Sequence, residues 1–356
     1  MIKYNTMAKL KDLSVLIVTW NGDDLLANCL TSIYNVYGET LEIIVVDNAN
    51  LESTKKIVLS YKNAKYIASK SNLGFAGGNN LGLPACTRKY VLLLNNDTLI
   101  HEDSFSPLID YMENNPSVAV TQGRMRLAKS GNVLDECGVM LTPAGILYDE
   151  YIMLDDSICV PTRPVHSVKG AMMMIRKDVI PLVGGLFYDH FHCNYEEKDF
   201  CHRVWMCGYE VHYVDTPAID HLQSQTIVKL NQVDVFGRSI ANHQFSFATT
   251  LQIWNACKMI SSQFALYLSM AIYNLIKGNR HDYLILKKAT LSFLRRWSII
   301  VKTRETVQKN RKLPDAKIFT KAMTHPPLSF YYHAIRGDWT NYKKKYAHGP
   351  LSIQKI

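Results

Sequence analysis

Three stretches of this chain share one construction, a short unbroken apolar run that stops at an amide or a carboxylate. They are LSVLIVT (Leu13 to Thr19, with Asn21 just beyond), LEIIVVD (Leu41 to Asp47, with Asn48 next) and YVLLLNND (Tyr90 to Asp97). Runs that are apolar throughout, rather than at alternate positions, suit strands buried on both faces, as in a parallel sheet covered by helices. The intervening segments supply the helices. Asp23 to Tyr34 has helical spacing through Leu25, Leu26, Cys29, Leu30 and Ile33; a second helix is expected over about Ser53 to Tyr61, and a shorter strand at Lys65 to Ala68. This alternation predicts an α/β doubly wound domain whose strands all finish at one rim. In open α/β sheets ligands bind at that rim.

One residue at the rim has metal-ligand chemistry, the carboxylate of Asp97, flanked by the amides of Asn95 and Asn96. Any one of these polar residues alone reads as a turn or cap; their recurrence at three strand ends points to a site. Between the third and fourth strands lies SNLGFAGGNN, Ser71 to Asn80. It is expected to be a turn opening a helix near Gly78, with glycines that let a ligand approach the backbone and a helix N-terminus that favours phosphate. It lacks G-x-G-x-x-G and G-K-[ST], which sets aside a dinucleotide oxidoreductase and a P-loop ATPase.

Farther on, SVKGAMMMIRKD (Ser167 to Asp178) reads as a core strand, and Asn194 to Asp215 opens with an acidic helix. Helical spacing places Glu196, Asp199 and Arg203 on one face and turns Glu197 about a quarter-turn away. Three carboxylates beside Phe200 and Trp205 suit a general base, although acids in a first helical turn also serve the helix dipole. His221 falls in a loop, and its value as a metal ligand depends on whether the fold brings it to Asp97. Eight cysteines without a C-x-x-C pair indicate reduced, mostly buried thiols. The group His190, His192, Cys193, Cys201, His202 and Cys207 matches no common zinc spacing.

Taken together, VLIVTWN (Val15 to Asn21), IIVVDN (Ile43 to Asn48), NLGFAGGNN (Asn72 to Asn80) and LLNND (Leu93 to Asp97) resemble, in order and spacing, the family 2 glycosyltransferases of the rhamnosyltransferase-like kind. The resemblance runs on through Gly170-Ala171, through the Glu196, Glu197, Asp199 helix, and through His221 with Ser224 and Thr226, covering roughly residues 13 to 227. It implies a GT-A fold, a nucleotide-diphospho sugar donor with dTDP-rhamnose as the leading guess, Mn²⁺ or Mg²⁺, and inversion at the anomeric carbon.

Carried over position by position, the resemblance assigns the nucleoside to Thr19, Asn21, Asp47 and Asn48, and the nucleotide-sugar pocket to Asn72, Gly74, Phe75, Gly78, Asn79, Asn95 and Asn96. Asp97 and His221 become the metal ligands, with Glu197, Glu196 and Asp199 as the catalytic acids. Two departures matter. Glu197 stands where the family usually has Asp, and Asn95 replaces the first carboxylate of the Asp-x-Asp pattern, which leaves Asp97 as the triplet's metal ligand. The chemistry suits these types: a leaving diphosphate needs a hard cation with oxygen ligands, and the attacking hydroxyl needs a base.

Charge divides the chain. Residues 1–235 carry 20 Lys+Arg against 27 Asp+Glu, net −7, while residues 236–356 carry 20 against 4, net +16. A catalytic unit is therefore expected over 13–235 (nucleotide-sugar half about 13–100, acceptor half about 101–235), followed by a basic amphipathic helical region over 236–356. Met259 to Ile276 has no charge, yet its Ser261, Ser262, Gln263, Ser269 and Asn274 favour an interfacial or buried helix over a spanning one. Leu284, Leu291, Leu294, Trp297 and Val301 recur at helical spacing among Lys287, Lys288, Arg295, Arg296 and Lys302, and Lys343, Lys344 and Lys345 follow. That mixture suits an anionic membrane surface, and with it a polyprenyl-linked or other glycan acceptor. Nucleic acid is not expected as a partner. Met1 to Asp12 is polar and Leu13 to Val18 too brief for a signal peptide, so the expected location is cytoplasmic, on the inner face of the membrane. The competing readings are a sugar-phosphate nucleotidyltransferase, which wants a basic Gly-rich loop where WNGDD stands, and a non-catalytic scaffold, which has no need of Asp97, Glu197 and His221 together.

Overall fold

The computed structural model describes residues 9–128, 133–222 and 231–336. Ser224, Thr226, Lys3 and Lys343 to Lys345 lie outside them. The strands are β1 (Leu13–Thr19), β2 (Glu42–Asp47), β3 (Ala64–Ala68), β4 (Tyr90–Asn95), β5 (Thr98–Leu99), β6 (Val118–Gln122), β7 (Met125–Leu127), β8 (Met140–Leu141), β9 (Leu147–Tyr148), β10 (Arg163–Pro164), β11 (Met172–Arg176), β12 (Glu210–Tyr213) and β13 (Ile219–His221). Eight of them form one sheet in the order β10-β12-β6-β11-β4-β1-β2-β3, and β5-β13-β7 make a small second sheet. The β4-β1-β2-β3 half is parallel. β11 enters antiparallel between β4 and β6.

The unbroken apolar runs have the physical cause expected of them. On one face Leu16, Ile44, Val46, Val91 and Leu93 are buried in one core that also takes in Phe200 and Val204 of the acidic helix. On the other, Val15, Ile17, Ile43, Val45, Leu92 and Leu94 are buried against α1 (Asp23–Tyr37), through Leu26, Leu30 and Ile33, and α4 (Ser106–Asn114), through Leu108, Ile109 and Met112. Each strand residue thus finds a helix whichever way it points. α2 spans Glu52–Leu59 and α3 spans Gly74–Gly82.

α3 begins four residues before the expected Gly78, and its glycines serve packing. A Cβ on Gly78 would lie 2.6 Å from Val18 Cγ1, and one on Gly82 would collide with Leu16 and Val46. Bare backbone lets this helix lie down on β1 and β2. The absence of side chains there makes room for the sheet, not for a ligand.

The acidic helix is α5 (Glu196–Met206), and six more follow: α6 (Gln232–Thr250), α7 (Ile253–Ile276), α8 (His281–Arg295), α9 (Trp297–Lys309), α10 (Asp315–Ala322) and α11 (Leu328–Arg336). α6 runs straight through residue 235, and Phe245, Ile300, Val307 and Ile318 enter the same core as the sheet. The basic helices are built onto the catalytic layers, with no break in the core between them.

Candidate active site

Backbone register brings the strand ends together. Thr19 O accepts from Asn48 N at 2.9 Å, and Thr19 Oγ1 accepts from Asn96 Nδ2 at 2.9 Å, so the ends of β1, β2 and β4 form one rim. Asn21 stands exposed on that rim with φ +52. Asn48 donates to Gly74 O at 2.9 Å and keeps a buried Oδ1 without a partner. Such an atom costs free energy unless something else meets it.

The small sheet settles the question of His221. β13 pairs antiparallel with β5, placing His221 opposite Thr98, and Leu222 N donates to Asp97 O at 2.9 Å. His221 Nε2 then lies 3.3 Å from Asp97 Oδ1, both side chains nearly fully buried and neither atom in hydrogen-bond geometry. The other ring nitrogen, Nδ1, sits 2.6 Å from Asp135 Oδ2. Burial works against charge on His221, but the bond to Asp135 and the proximity of Asp97 outweigh it and raise its pKa. In the neutral ring, a proton on Nδ1 toward Asp135 leaves the Nε2 lone pair facing Asp97, the usual arrangement behind a metal-bound histidine. An unpartnered carboxylate oxygen and an unpartnered imidazole nitrogen, buried and converging, fit a divalent cation. Among the described residues no group of three or more His, Cys, Asp or Glu forms a complete cage, so this pair is a partial coordination set.

Three consecutive residues tie that pair to the acidic helix. Lys169 Nζ binds both oxygens of Asp135, at 2.7 and 2.9 Å. Gly170 faces Phe75 and Glu197: a Cβ there would lie 2.8 Å from the Phe75 ring and 3.9 Å from Glu197 Cβ. Ala171 O accepts from Asn95 N at 3.1 Å. The Gly-Ala pair that the sequence marked is thus the seam between the strand ends and the helix.

Tyr195, at φ +81, leads into α5. Glu197 Oε1 accepts from Lys198 Nζ at 2.8 Å, and its Oε2 is buried without a partner. Glu196 is buried; its burial and the charge of Glu197 push its pKa up to about 8. Glu136, half-buried, has a buried Oε1 without a partner, and its pKa is raised by burial against the opposing pull of Lys198 and Lys169.

Several sequence expectations are corrected here. Asp199 is tied to the helix interior: its Oδ2 accepts from Arg203 Nε at 2.8 Å in a buried pair, its Oδ1 is buried without a partner, and that guanidinium holds the carbonyls of Val183, Gly185 and Leu186. Asn79 is buried and returns its amide to Phe75 O at 2.9 Å within α3, and Gly78 is covered by Val18. Asp47 accepts from Ala49 N at Oδ1 and from Leu51 N and Tyr66 Oη at Oδ2, so it shapes the rim. The N-terminus of α3 is not open to phosphate: Gly74 N is taken by Asn72 Oδ1 and Ala76 N by His192 O.

The profile described as Glycosyl transferase family 2 matches residues 14–179, the segment holding the rim, Asp97, Asp135 and Gly170. The low-salt glycan biosynthesis hexosyltransferase Agl10 of Haloferax volcanii is 26% identical over 298 residues, 76% of this chain and 91% of that protein. The protein is a glycosyltransferase whose residues 14–179 match family 2. Two solved structures share its fold: residues 1–349 of S. aureus TarS, with TM-score 0.56, 14% identity and coverage of 94% of this chain and 90% of that one, and the Pyrobaculum calidifontis mannosyltransferase PcManGT in complex with GDP-Man and Mn²⁺, with TM-score 0.50, 14% identity and coverage of 97% and 94%. The glycosyltransferase therefore has the GT-A architecture with a C-terminal helical region.

Sequence reading of this glycosyltransferase passed over Asp135, Glu136, Lys169 and Lys198. The signal was present in the paired acids of LDECG, Leu134 to Gly138. Nothing local, however, tells a buried carboxylate that orients a histidine from one that caps a turn.

Proposed function

We propose that the enzyme transfers a hexose, with inversion, from a nucleotide-diphospho sugar to a hydroxyl of a glycan or lipid-linked glycan. The observation that carries this reading is the Lys169–Gly170–Ala171 seam, which joins Asp135 behind His221 to Glu197 and to the end of β4. Thr19, Asn21, Asn48 and Asn96 bound the nucleoside end, and Phe75 the sugar end. Asp97 and His221 would hold Mn²⁺ or Mg²⁺, which when bound offsets the charge developing on the leaving diphosphate. Asp135, fixed by Lys169, orients the His221 ring.

Glu197 is the base. Lys198 positions Oε1, and Oε2, left without a partner, takes the proton of the acceptor hydroxyl as that oxygen bonds to the anomeric carbon and the sugar–phosphate bond breaks. Glu196 carries its own proton at neutral pH, so the like charge that Glu197 would otherwise face is absent. Attack from the side opposite the leaving group inverts the centre.

Rhamnose is the donor we favour from the sequence resemblance. The mannosyltransferase of like fold makes GDP-mannose the comparison to run beside dTDP-rhamnose. The assay is slow donor hydrolysis and nucleotide-dependent thermal stabilisation with Mn²⁺ or Mg²⁺. Stabilisation by no nucleoside diphosphate, with or without metal, sinks the reading.

We place the enzyme at the cytoplasmic face of the membrane. α7 is long and apolar enough to cross a bilayer, with mean hydropathy 1.3, yet Gln263 at its middle donates to Gly145 O at 2.6 Å, so it lies along the catalytic domain. Only 17% of its apolar window is buried, which leaves Ile253, Trp254, Phe264, Ile272 and Ile276 exposed and favours an interfacial helix.

A further inference from the structure

A second recessed site lies between α6 and α8. Gly237 of α6 lets the helices close: a Cβ there would lie 3.2 Å from Lys288 Cβ. Beyond that contact they part around a groove of about 610 Å³, walled by Val233, Leu284 and Leu291 and edged by Lys287, Arg295 and Arg296. Lys288 is paired with Asp234. Lys287 and Arg295 are exposed and, among the described residues, have no carboxylate partner.

Arg296 is the residue that asks for a ligand. It is half-buried; Nη1 donates to Asn242 Oδ1 at 2.9 Å, Nε to Ser292 O at 3.3 Å, and Nη2 is buried with no partner. No carboxylate within ion-pair reach compensates it among the described residues, and burial alone lowers its pKa to about 10. A guanidinium so placed is costly unless an anion completes it.

The groove is also linked by hydrogen bonds to the segment that carries Glu196 and Glu197. Asn242, which holds Arg296, donates on its other side to Asn194 O at 2.9 Å and Phe191 O at 3.2 Å. Asn194 immediately precedes Tyr195 and Glu196. One side chain therefore joins the uncompensated cation to the segment that carries the base.

We propose that this groove binds a phosphate or diphosphate carried on an apolar chain, the leading end of a lipid-linked acceptor, with Arg296, Lys287 and Arg295 on the anion and Leu284, Leu291 and Val233 on the chain. This rests on the glycosyl-transfer reading for its purpose, but not for its test. Apolar walls with three cations at one edge, and no carboxylate facing them, match an amphiphilic anion better than either a sugar or a free phosphate. The exposed Leu294 and Trp297 continue the apolar surface past the groove, a route for a chain arriving from a bilayer.

The test is binding of farnesyl diphosphate to the full chain with a nucleoside diphosphate present to fill the donor pocket, alongside inorganic diphosphate and phosphatidylglycerol vesicles. Expected is saturable binding of farnesyl diphosphate, tighter than inorganic diphosphate and weakened about tenfold or more in K287E/R295E. Arg296→Gln should weaken it as well; should that variant fail to fold, the exposed double variant still decides. Thermal melting of K287E/R295E with and without nucleotide reports whether fold and donor pocket are intact. Unchanged affinity in K287E/R295E overturns the proposal, as does equal affinity for inorganic diphosphate. Binding to vesicles with none to farnesyl diphosphate overturns it in favour of a general lipid surface. Failure of donor hydrolysis and nucleotide stabilisation, by contrast, would strike the glycosyl-transfer reading and leave this binding result standing.

Discussion

The sheet half and the helical half of this glycosyltransferase handle charge in opposite ways. Around the rim, charged groups are buried and matched to one another: Asp97 and His221, Asp135 with Lys169, Glu197 with Lys198, Asp199 with Arg203. In the helices beyond residue 250, large apolar side chains such as Trp254 and Leu328 are more than 80% exposed, and cations such as Lys287 and Arg295 have no acid paired with them among the described residues. The first arrangement makes a field within the protein that can act on a bound substrate. The second directs its apolar area and its charge outward, toward something other than water.

The largest expected effect lies at the rim. Asp97→Ala should lower transfer by about a thousandfold or more while leaving the melting temperature near that of the parent, because it removes a metal ligand and no core packing. Near-normal turnover in a nucleotide-sugar assay would break the contrast at its centre. Glu197→Gln should cost about 10²–10⁴ in kcat with donor-induced stabilisation retained.

Asp199→Ala should act on stability. It leaves Arg203 buried and uncompensated, so urea unfolding should show a loss of about 3–5 kcal/mol. A stable Asp199→Ala enzyme with a selective loss of kcat would return Asp199 to the catalytic set.

Glu196 makes a pH prediction. Its folded pKa of about 8 stands above the ordinary glutamate value of 4.5, so between those pH values the folded state holds a proton that the unfolded state has released. Stability from this group is full below about pH 4.5 and falls as pH rises to about 8, by on the order of a few kcal/mol. Thermal melts across that range should show the decline, and Glu196→Gln should flatten it; an unchanged slope would remove Glu196 as its source.

The smallest effect belongs to the outer surface. Replacing Leu294 and Trp297 by Ser should reduce partitioning onto phosphatidylglycerol vesicles by about tenfold, with turnover of a water-soluble acceptor unaltered. Raised salt should weaken vesicle binding further. Flotation that ignores both changes would erase the functional distinction between the two halves.

Much of the site was legible in sequence because strand ends are local features. VLIVTWN, IIVVDN and LLNND place Thr19, Asn48, Asn96 and Asp97 wherever a parallel sheet forms. Gly78 and Asn79 misled because a glycine that admits a ligand and one that admits a neighbouring strand look alike in sequence; only the position of Val18 separates them. Asp199 misled because helical spacing put it beside Glu196 but equally beside Arg203, and the buried pair with Arg203 prevailed.

By itself the amino-acid order determined the alternating strands and helices, the edge at which they end, the acidic helix and the basic excess after residue 235, all of which follow from periodicity and composition over short windows. The tertiary structure alone decided that His221 meets Asp97 across 124 residues through the β5–β13 pairing, that Asp135 and Lys169 stand behind it, and that Arg296 is left without an acid. Those outcomes depend on which surfaces lie against each other once the chain has closed, and on what burial then does to the charges between them.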